Sequence, residues 1–307
     1  MSVPSPLSAS HARPAAPAVL RGVRVLSLAL NLPGPAALMR LAAMGAQCLK
    51  IEPPGGDPMA HYSASFYRHL HEGIEVQRLD LKQPQARTEL QALLARTDVL
   101  LTSSRPGALA RLGLDGATLR EALPELAWVA IVGDYAPLDE VPGHDLTYQA
   151  EAGLIDGQLP PTLWADMVGS LLAVEATLQA VLLQRDAALA RLRGLPVPES
   201  SGLHCQVSLA EAARYAAQPR QHGLTAPGAL LGGAHPGYQV LRCRDGWVAL
   251  AALEPHFLAG WRRCLGLDGA DDAALTAAAP AWCLARDAAT LNELAQQQDL
   301  PLLAWPA

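Results

Sequence analysis

The sequence predicts an α/β protein with a doubly wound, Rossmann-like large domain and a smaller α+β domain. Through most of the chain, short runs rich in Val, Leu and Ala alternate with segments of helical periodicity. Strands that alternate with helices favour a parallel sheet with right-handed crossovers. After about Gly223 the pattern changes, and two apolar runs flank Arg244, Asp245 and Gly246, which is typical of a β-hairpin.

The first strand–helix–strand unit lies near the start of the chain. Residues 20–30 predict a buried strand, residues 36–44 a packed helix and residues 47–51 a second strand. The unit lacks the GxGxxG fingerprint, so binding of a dinucleotide is a weak interpretation. The alternation continues with helices at 84–97, 116–123, 171–185 and 209–217 and strands at 98–102, 127–132 and 203–208.

The loops after these strands indicate where a ligand would bind. In doubly wound sheets, ligands lie beyond the carboxyl ends of the strands. We therefore expect the loops at 31–35, 52–57, 103–107 and 133–145 to meet at one site.

Domain boundaries follow from composition. Residues 1–18 are rich in Pro, Ser and Ala and lack the apolar core of a secretory signal, so they predict a disordered tail. Residues 19–222 predict the large, ligand-binding domain, and residues 223–307 predict the small domain.

Charge and cysteine usage exclude several classes of function. The chain has 23 Lys plus Arg against 29 Asp plus Glu, a net charge of −6, and no basic face that would suggest nucleic acid. Its five cysteines lack CxxC spacing, which favours reduced thiols in a cytoplasmic protein over disulfides or a metal site. The longest apolar run, residues 171–183, is interrupted by Glu175 and Gln179 and is too short for a bilayer, so we expect no membrane span. The remaining histidines outside the 142–166 stretch have no ligand spacing and are expected at the surface.

The stretch from Pro142 to Asp166 carries the residues best suited to chemistry. His144 adjoins Asp145, and Asp166 stands at the start of a strongly apolar segment. The Pro160–Pro161–Thr162 sequence can precede a helix but not lie inside one, so that helix should begin between Thr162 and Asp166.

A helix start provides unpaired N–H groups that favour an ionised carboxylate and can hold a substrate oxyanion. An imidazole and such a carboxylate can work on the two sides of one carbon acid. On the residues alone, an ordinary loop histidine is the favoured interpretation of His144 and a helix cap that of Asp166, and the side chain of Asp145 is compatible with a stabilised turn.

Several collinear segments resemble the family III CoA-transferases. They read LRGVRVLSLA, GPAALMRLAAMGAQCLKIEPPGGDP, LDLKQPQAR, DVLLTSSRPGALARLGL and PGHDLTYQAEAGL, in the order in which the family has them. This group includes formyl-CoA transferase, carnitine CoA-transferase and α-methylacyl-CoA racemase. GHDLTY, WADMVGS and LGGAHPGYQVLRCRDGWVALAALEPHF are more similar to the racemase branch.

The resemblance implies roles for individual residues. It implies that His144 and Asp166 are the catalytic pair, that Glu254 supports the histidine, and that the backbone N–H of Asp145 holds the thioester oxygen. In the transferases of the family, the residue matching Asp166 is instead a nucleophile that forms a mixed anhydride. Lys50 and Arg105 would lie on the CoA-binding side. The resemblance implies a coenzyme A thioester as substrate, no permanently bound cofactor, and a homodimer that is interlocked in the family.

The sequence also departs from the family pattern. The basic segment that the family has before LDLK reads HEGIEVQR, and the loop after residues 127–132 is the acidic GDYAPLDEVP. ARLRGLPVPESSGL replaces the usual Gly-rich turn, and the small domain is expected to have a shortened C-terminus. Three hypotheses therefore stand: proton transfer at the α-carbon of an acyl-CoA, CoA transfer through Asp166, or a degenerate member that only binds a ligand or partner.

Overall fold

A computed structural model describes residues 17–197 and 203–307. The predicted tail at residues 1–18 therefore lies almost wholly outside the described residues. The described chain forms two compact units, one ending at Ala217 and the other spanning Gln218–Ala307.

The larger unit is built on a six-stranded sheet in which every neighbouring pair is parallel. The strands are β1 (Arg24–Ser27), β2 (Gln47–Glu52), β3 (Glu75–Arg78), β4 (Val99–Thr102), β5 (Ala127–Val132) and β6 (His204–Ser208), in the order β3-β2-β1-β4-β5-β6. This order is that of a doubly wound fold, so the predicted fold class is confirmed.

Nine helices of the described chain surround this sheet or extend from it. They are α1 (Pro33–Ala43), α2 (Met59–Tyr62), α3 (Ala64–Leu70), α4 (Pro84–Leu94), α5 (Pro106–Ala110), α6 (Gly116–Ala122), α7 (Asp145–Glu151), α8 (Trp164–Leu192) and α9 (Leu209–Gln221). Helix α1 begins at Pro33, three residues before the predicted start, because proline is tolerated in the first helical turn.

Strand β5 shows how the two faces of the sheet are covered. Its six residues are all buried, and alternate side chains point to opposite faces. Val129 and Ile131 join a core formed with α1 and α8, whereas Trp128 and Val132 join a core formed with α4, α5 and α6. Such a strand, buried on both faces, reads as a continuous apolar run, which is why its predicted bounds are correct.

Helix α8 begins at Trp164, inside the interval that the proline pair predicts, and extends past the predicted 171–185 at both ends. It packs against α1 and strands β4, β5 and β6. By length and composition alone, α8 is apolar enough to cross a membrane, and 39% of its most apolar segment is buried. Helix α8 is thus longer than the apolar run from which no membrane span was expected, and its packing on the sheet is what a core helix shows.

The smaller unit has an antiparallel sheet of β7 (Tyr238–Arg242), β8 (Gly246–Ala251) and β9 (Leu302–Pro306). Strands β7 and β8 form the predicted hairpin. One face of the sheet packs on α10 (Pro255–Leu265), α11 (Asp272–Leu284) and α12 (Ala288–Gln297). Trp261, Leu275 and Leu291 are fully buried there.

Candidate active site

A cavity of about 480 Å³ lies in the larger unit, where the loops after β1, β4 and β5 meet α7 and α8. The polar side chains on its wall include those of Arg105, Arg111, Glu140, His144, Tyr148 and Asp166. Three of the predicted loops, at 31–35, 103–107 and 133–145, contribute to this wall, and the loop at 52–57 does not. The cavity therefore brings His144, Asp166 and Arg105 together.

His144 is the residue immediately before α7, and its backbone is held in place by Thr147. The Thr147 hydroxyl accepts a hydrogen bond from the His144 N–H at 3.1 Å and donates one to the His144 carbonyl at 2.7 Å. The backbone of His144 is extended, as expected for a residue that precedes a helix. His144 also lines the cavity, which places it where a ligand would bind.

Asp166 lies in the first turn of α8, and its carboxyl group is mostly buried. Burial, and secondarily the negative charge of Asp145, raise the pKa of Asp166 to about 7. An apolar environment and a neighbouring carboxylate both disfavour the ionised form. The expectation that the helix start keeps this group ionised was therefore wrong, because burial outweighs the helix dipole. Near neutral pH, Asp166 exists in both protonation states.

The side chain of Asp145 explains why α8 starts where it does. Asp145 is 5% exposed, and its Oδ1 accepts a hydrogen bond from the backbone N–H of Asp166 at 3.0 Å. It therefore caps α8 although it belongs to α7. Its own N–H is the first of α7 and has no acceptor that the described part of the chain provides, so the predicted contact with a thioester oxygen stays a prediction.

Gln149 is a site residue that the sequence did not reveal. It is fully buried, and its Nε2 donates to Asp145 Oδ2 at 2.5 Å and to the carbonyl of Thr162 at 3.1 Å. These bonds fasten α7 to the segment that leads into α8. The spacing of four residues between Asp145 and Gln149 places both on one helix face, and that spacing was the available signal.

Tyr148 is a second residue of the cavity wall that the sequence analysis did not single out. It is 8% exposed, and its hydroxyl lies against two glycines: a Cβ at Gly133 or Gly143 would come within 2.5 or 2.4 Å of it. Burial, and then the charge of Asp166, raise the pKa of Tyr148. The phenol therefore remains a hydrogen-bond donor on the cavity wall at neutral pH.

The acidic loop after β5 contacts the start of α5. The Glu140 carboxylate accepts a hydrogen bond from the Gly107 N–H at 2.5 Å, and Arg105 donates to the Glu140 carbonyl at 3.4 Å. The loop is anchored at its other end by Asp134, which pairs with Arg214 at 2.8 Å. The wall near Arg105 therefore carries mixed charge.

Lys50 is inside the protein and not on the cavity wall, which corrects its predicted place on the CoA-binding side. The side chain is fully buried, and its Nζ lies 2.5 Å from Asp57, 3.0 Å from Glu52 and 2.9 Å from His71 Nε2. An ammonium that is shared among three buried partners is not available to a phosphate. Lys50 is therefore not carried into the proposed site.

The same cluster corrects the expectation that His71 lies at the surface. His71 is 8% exposed, and its Nδ1 is 2.7 Å from the Tyr67 carbonyl. Glu52, Asp57 and His71 are close enough to one another to suggest a cation site. The Lys50 ammonium lies against all three of these side chains, so a side chain of the protein supplies the positive charge at this position.

Glu254 lies in the smaller unit, where it is exposed and immediately precedes α10. The structure describes each unit by itself, so the predicted support of His144 by Glu254 stays a prediction.

The fold and the site define a doubly wound α/β protein with a histidine and a protonatable carboxyl group in one cavity. A profile of CoA-transferase family III matches residues 20–303, and the chain belongs to this family. Two solved structures have the same fold. They are Rv3272 of Mycobacterium tuberculosis (TM-score 0.75, 24% identity, 94% of this chain and 86% of that one) and a CAIB/BAIF family protein of Brucella suis (TM-score 0.76, 23% identity, 94% and 84%).

Relatives of known activity include both reaction types of the family. The chain is 31% identical over 274 residues to alpha-methylacyl-CoA racemase of Mus musculus, covering 81% of this chain and 65% of the relative. It is 29% identical over 262 residues to succinate–glutarate CoA-transferase of Agrobacterium fabrum, covering 76% of this chain and 62% of the relative. The chain thus spans slightly less than two thirds of either relative.

Proposed function

We propose that this protein is an enzyme that moves a proton at the α-carbon of an acyl-CoA thioester, with His144 and Asp166 as the acid–base pair. The observation that carries the proposal is that both side chains line one cavity of about 480 Å³ in which the pKa of Asp166 is raised to about 7. A carboxyl group with that pKa titrates in the range where imidazoles do.

A carboxyl group that exists in both protonation states near neutral pH suits a reaction that runs in both directions. One group takes the α-proton while the electron pair of the C–H bond delocalises onto the thioester oxygen. The other group then delivers its own proton to the opposite face of the carbon, and the carbonyl is restored. An ordinary carboxyl group, with a pKa near 4, is rarely protonated at neutral pH and would deliver a proton slowly.

Supporting roles follow from position. The Asp145 N–H would hold the developing oxyanion, and Glu254 would orient the imidazole of His144. Arg105 and Arg111 are the cationic groups on the cavity wall that would meet CoA phosphates. The acyl-CoA substrate needs no resident cofactor for this chemistry. We also propose a homodimer, which the family resemblance implies and which sedimentation of the full chain measures.

CoA transfer is the second candidate, because the same buried Asp166 carboxylate lines the cavity. Its oxygen would attack the thioester carbonyl, the C–S bond would break, and CoA would leave as a thiolate from a mixed anhydride on Asp166. This route requires Asp166 and does not require His144.

One set of assays separates these reactions. In deuterium oxide, a 2-methylacyl-CoA should gain α-deuterium, and both H144Q and D166N should slow this exchange by about 10²-fold or more. If hydroxylamine instead converts Asp166 to a hydroxamate during turnover, and H144Q remains active, transfer is the reaction. If calorimetry detects no binding of any CoA thioester, neither activity stands and a degenerate, non-catalytic member is the remaining description.

A further inference from the structure

A second cavity, of about 290 Å³, lies beside the reaction cavity in the larger unit. Ser104 and Val132 line both cavities. We call the second one the β5–β6 slot and define it by Ala110, Trp128, Ala130, Val132, His204 and Gln206. Its volume is near the lower end of the range of small-molecule pockets.

The strand register gives the slot a direction. Val132, Ala130 and Trp128 are alternate residues of β5 and therefore share one face of the sheet. Gln206 pairs with Ala130 and His204 with Trp128, so β6 supplies the neighbouring row. Gly133, the next residue after Val132, lines the reaction cavity. The slot therefore runs back along β5 from the reaction cavity for four residues, roughly 13 Å at 3.3 Å per residue.

The slot is apolar, and few polar groups on its wall need a hydrogen bond from a ligand. The Trp128 ring stacks on His204 with the ring centroids 4.0 Å apart, and its Nε1 already donates to Thr102 Oγ1 at 2.9 Å. Burial, and then Arg120, lower the pKa of His204, so its imidazole is neutral at physiological pH. Asp115 also lines the slot, and its carboxylate accepts hydrogen bonds from the N–H groups of Ala117 and Thr118. An apolar ligand can therefore enter without leaving a buried charge or donor unpaired.

Small residues keep the slot open. Ala130 is 3% exposed and lies between the larger Val132 and Trp128 along β5, and the exposed Ala110 of α5 also lines the slot. Protein interiors are normally packed at high density. An apolar space of this size beside a reaction cavity is therefore suited to bind an apolar part of a ligand.

We propose that the β5–β6 slot binds the hydrocarbon chain of the acyl group, and that the substrates are CoA thioesters with an extended apolar acyl chain. This inference rests on the proposed acyl-CoA site. With the thioester between His144 and Asp166, the chain passes Ser104 and Val132 and lies along Ala130 toward Trp128. Each methylene group that leaves water for this surface adds to affinity.

Calorimetry of the full chain with two ligands of different length tests the slot. Octanoyl-CoA should bind wild type roughly tenfold or more tightly than propionyl-CoA. Ala130→Leu places a branched side chain on the slot floor and should abolish that preference. The matched control is Ala117→Leu on α6, which makes the same change at an exposed position outside both cavities and should keep the wild-type preference.

A second variant guards against misfolding of Ala130→Leu. Ala110 is exposed at the end of α5, so Ala110→Trp is tolerated by the fold and should also reduce the chain-length preference. Equal binding of the two thioesters by wild type, or an unchanged preference in both slot variants, would overturn the inference while the proposed function stands. If wild type binds neither thioester, the proposed function fails, and this inference fails with it.

Discussion

At the scale of single residues, Asp145 acts directly on Asp166, one member of the predicted pair. Its carboxylate caps α8 through the Asp166 N–H and also lies close enough to raise the pKa of Asp166. The sequence placed Asp145 beside His144 but could not show that its carboxylate caps a different helix. That contact is set by how α7 folds back on α8.

Asp145→Asn should therefore change the pH dependence of α-proton exchange. The amide keeps an oxygen that accepts the Asp166 N–H but removes the negative charge. Because a neighbouring negative charge raises the pKa of a carboxyl group, removing it lowers the pKa of Asp166, while burial still holds it above the ordinary value. The limb of the pH–rate profile that reports Asp166 should move to lower pH.

The matched control for that experiment is Asp139→Asn. Asp139 also lines the cavity, but it is not among the causes of the raised pKa of Asp166. Its profile should coincide with that of wild type. An unshifted limb in Asp145→Asn would show that the Asp145 charge does not act on Asp166.

The two glycines beside Tyr148 allow a second prediction at this scale. A Cβ at Gly133 would clash only with the hydroxyl, at 2.5 Å, since the nearest ring carbon is at 3.5 Å. A Cβ at Gly143 would meet the hydroxyl and also ring carbons at 2.6 Å. Both Gly→Ala variants should lose about 1–3 kcal/mol of unfolding free energy by overpacking.

Tyr148→Phe should rescue Gly133→Ala in denaturant unfolding, because it removes the atom that clashes. It should not rescue Gly143→Ala, because the ring remains. Equal rescue of both variants, or of neither, would contradict the described position of the phenol.

At the scale of elements, helices and strands were predicted correctly where the sequence has a clear pattern, such as a continuous apolar run or a proline pair. Strand β5 is apolar along its whole length, and the prolines before Trp164 fix the start of α8. Strand β3, with the sequence EVQR, gives no such signal because it is an edge strand with no fully buried side chain. Helices α2, α3 and α5 are too short to show a helical period in the sequence. Helices of this length depend on tertiary packing for their stability.

The Lys50 cluster joins β2, the following loop and α3, and its loss should unfold more than one element. Lys50→Met leaves Glu52 and Asp57 as buried carboxylates without a counter-charge. Breaking a buried ion pair in this way typically costs about 3–5 kcal/mol. Chemical denaturation of the variant should show a loss of that order.

Lys82, the only other lysine in the sequence, is the natural control. It is exposed, so Lys82→Met should change the unfolding free energy by less than about 0.5 kcal/mol. Amine acetylation of the folded protein should likewise modify Lys82 and spare Lys50. Equal effects of the two substitutions, or equal labelling, would contradict the buried cluster.

At the scale of the whole molecule, the family resemblance indicated the fold and the His144–Asp166 pair. The resemblance placed Lys50 wrongly on the CoA-binding side, because one segment of sequence does not show which residues surround this lysine in space. The sequence showed that proton transfer would require burial to raise the pKa of Asp166, but not that Asp145, 21 positions away in the chain, also contributes to the rise.

The overall charge leads to the last prediction. The protein carries a net charge of −6, and the cavity wall carries Asp139 and Glu140 as well as Arg105 and Arg111. A CoA thioester is itself a polyanion, so long-range repulsion should slow its approach, and salt should screen that repulsion. In stopped-flow measurements, the association rate of octanoyl-CoA should rise on the order of twofold between about 20 and 200 mM KCl.

Glu140→Gln should weaken this dependence on salt, because it removes one negative charge at the cavity while retaining an acceptor for the Gly107 N–H. An association rate that falls as salt is added would mean that the two arginines dominate the field along the ligand's path. The acidic loop would then act only through its contacts with α5, and the charge of the molecule as a whole would have no part in how the substrate arrives.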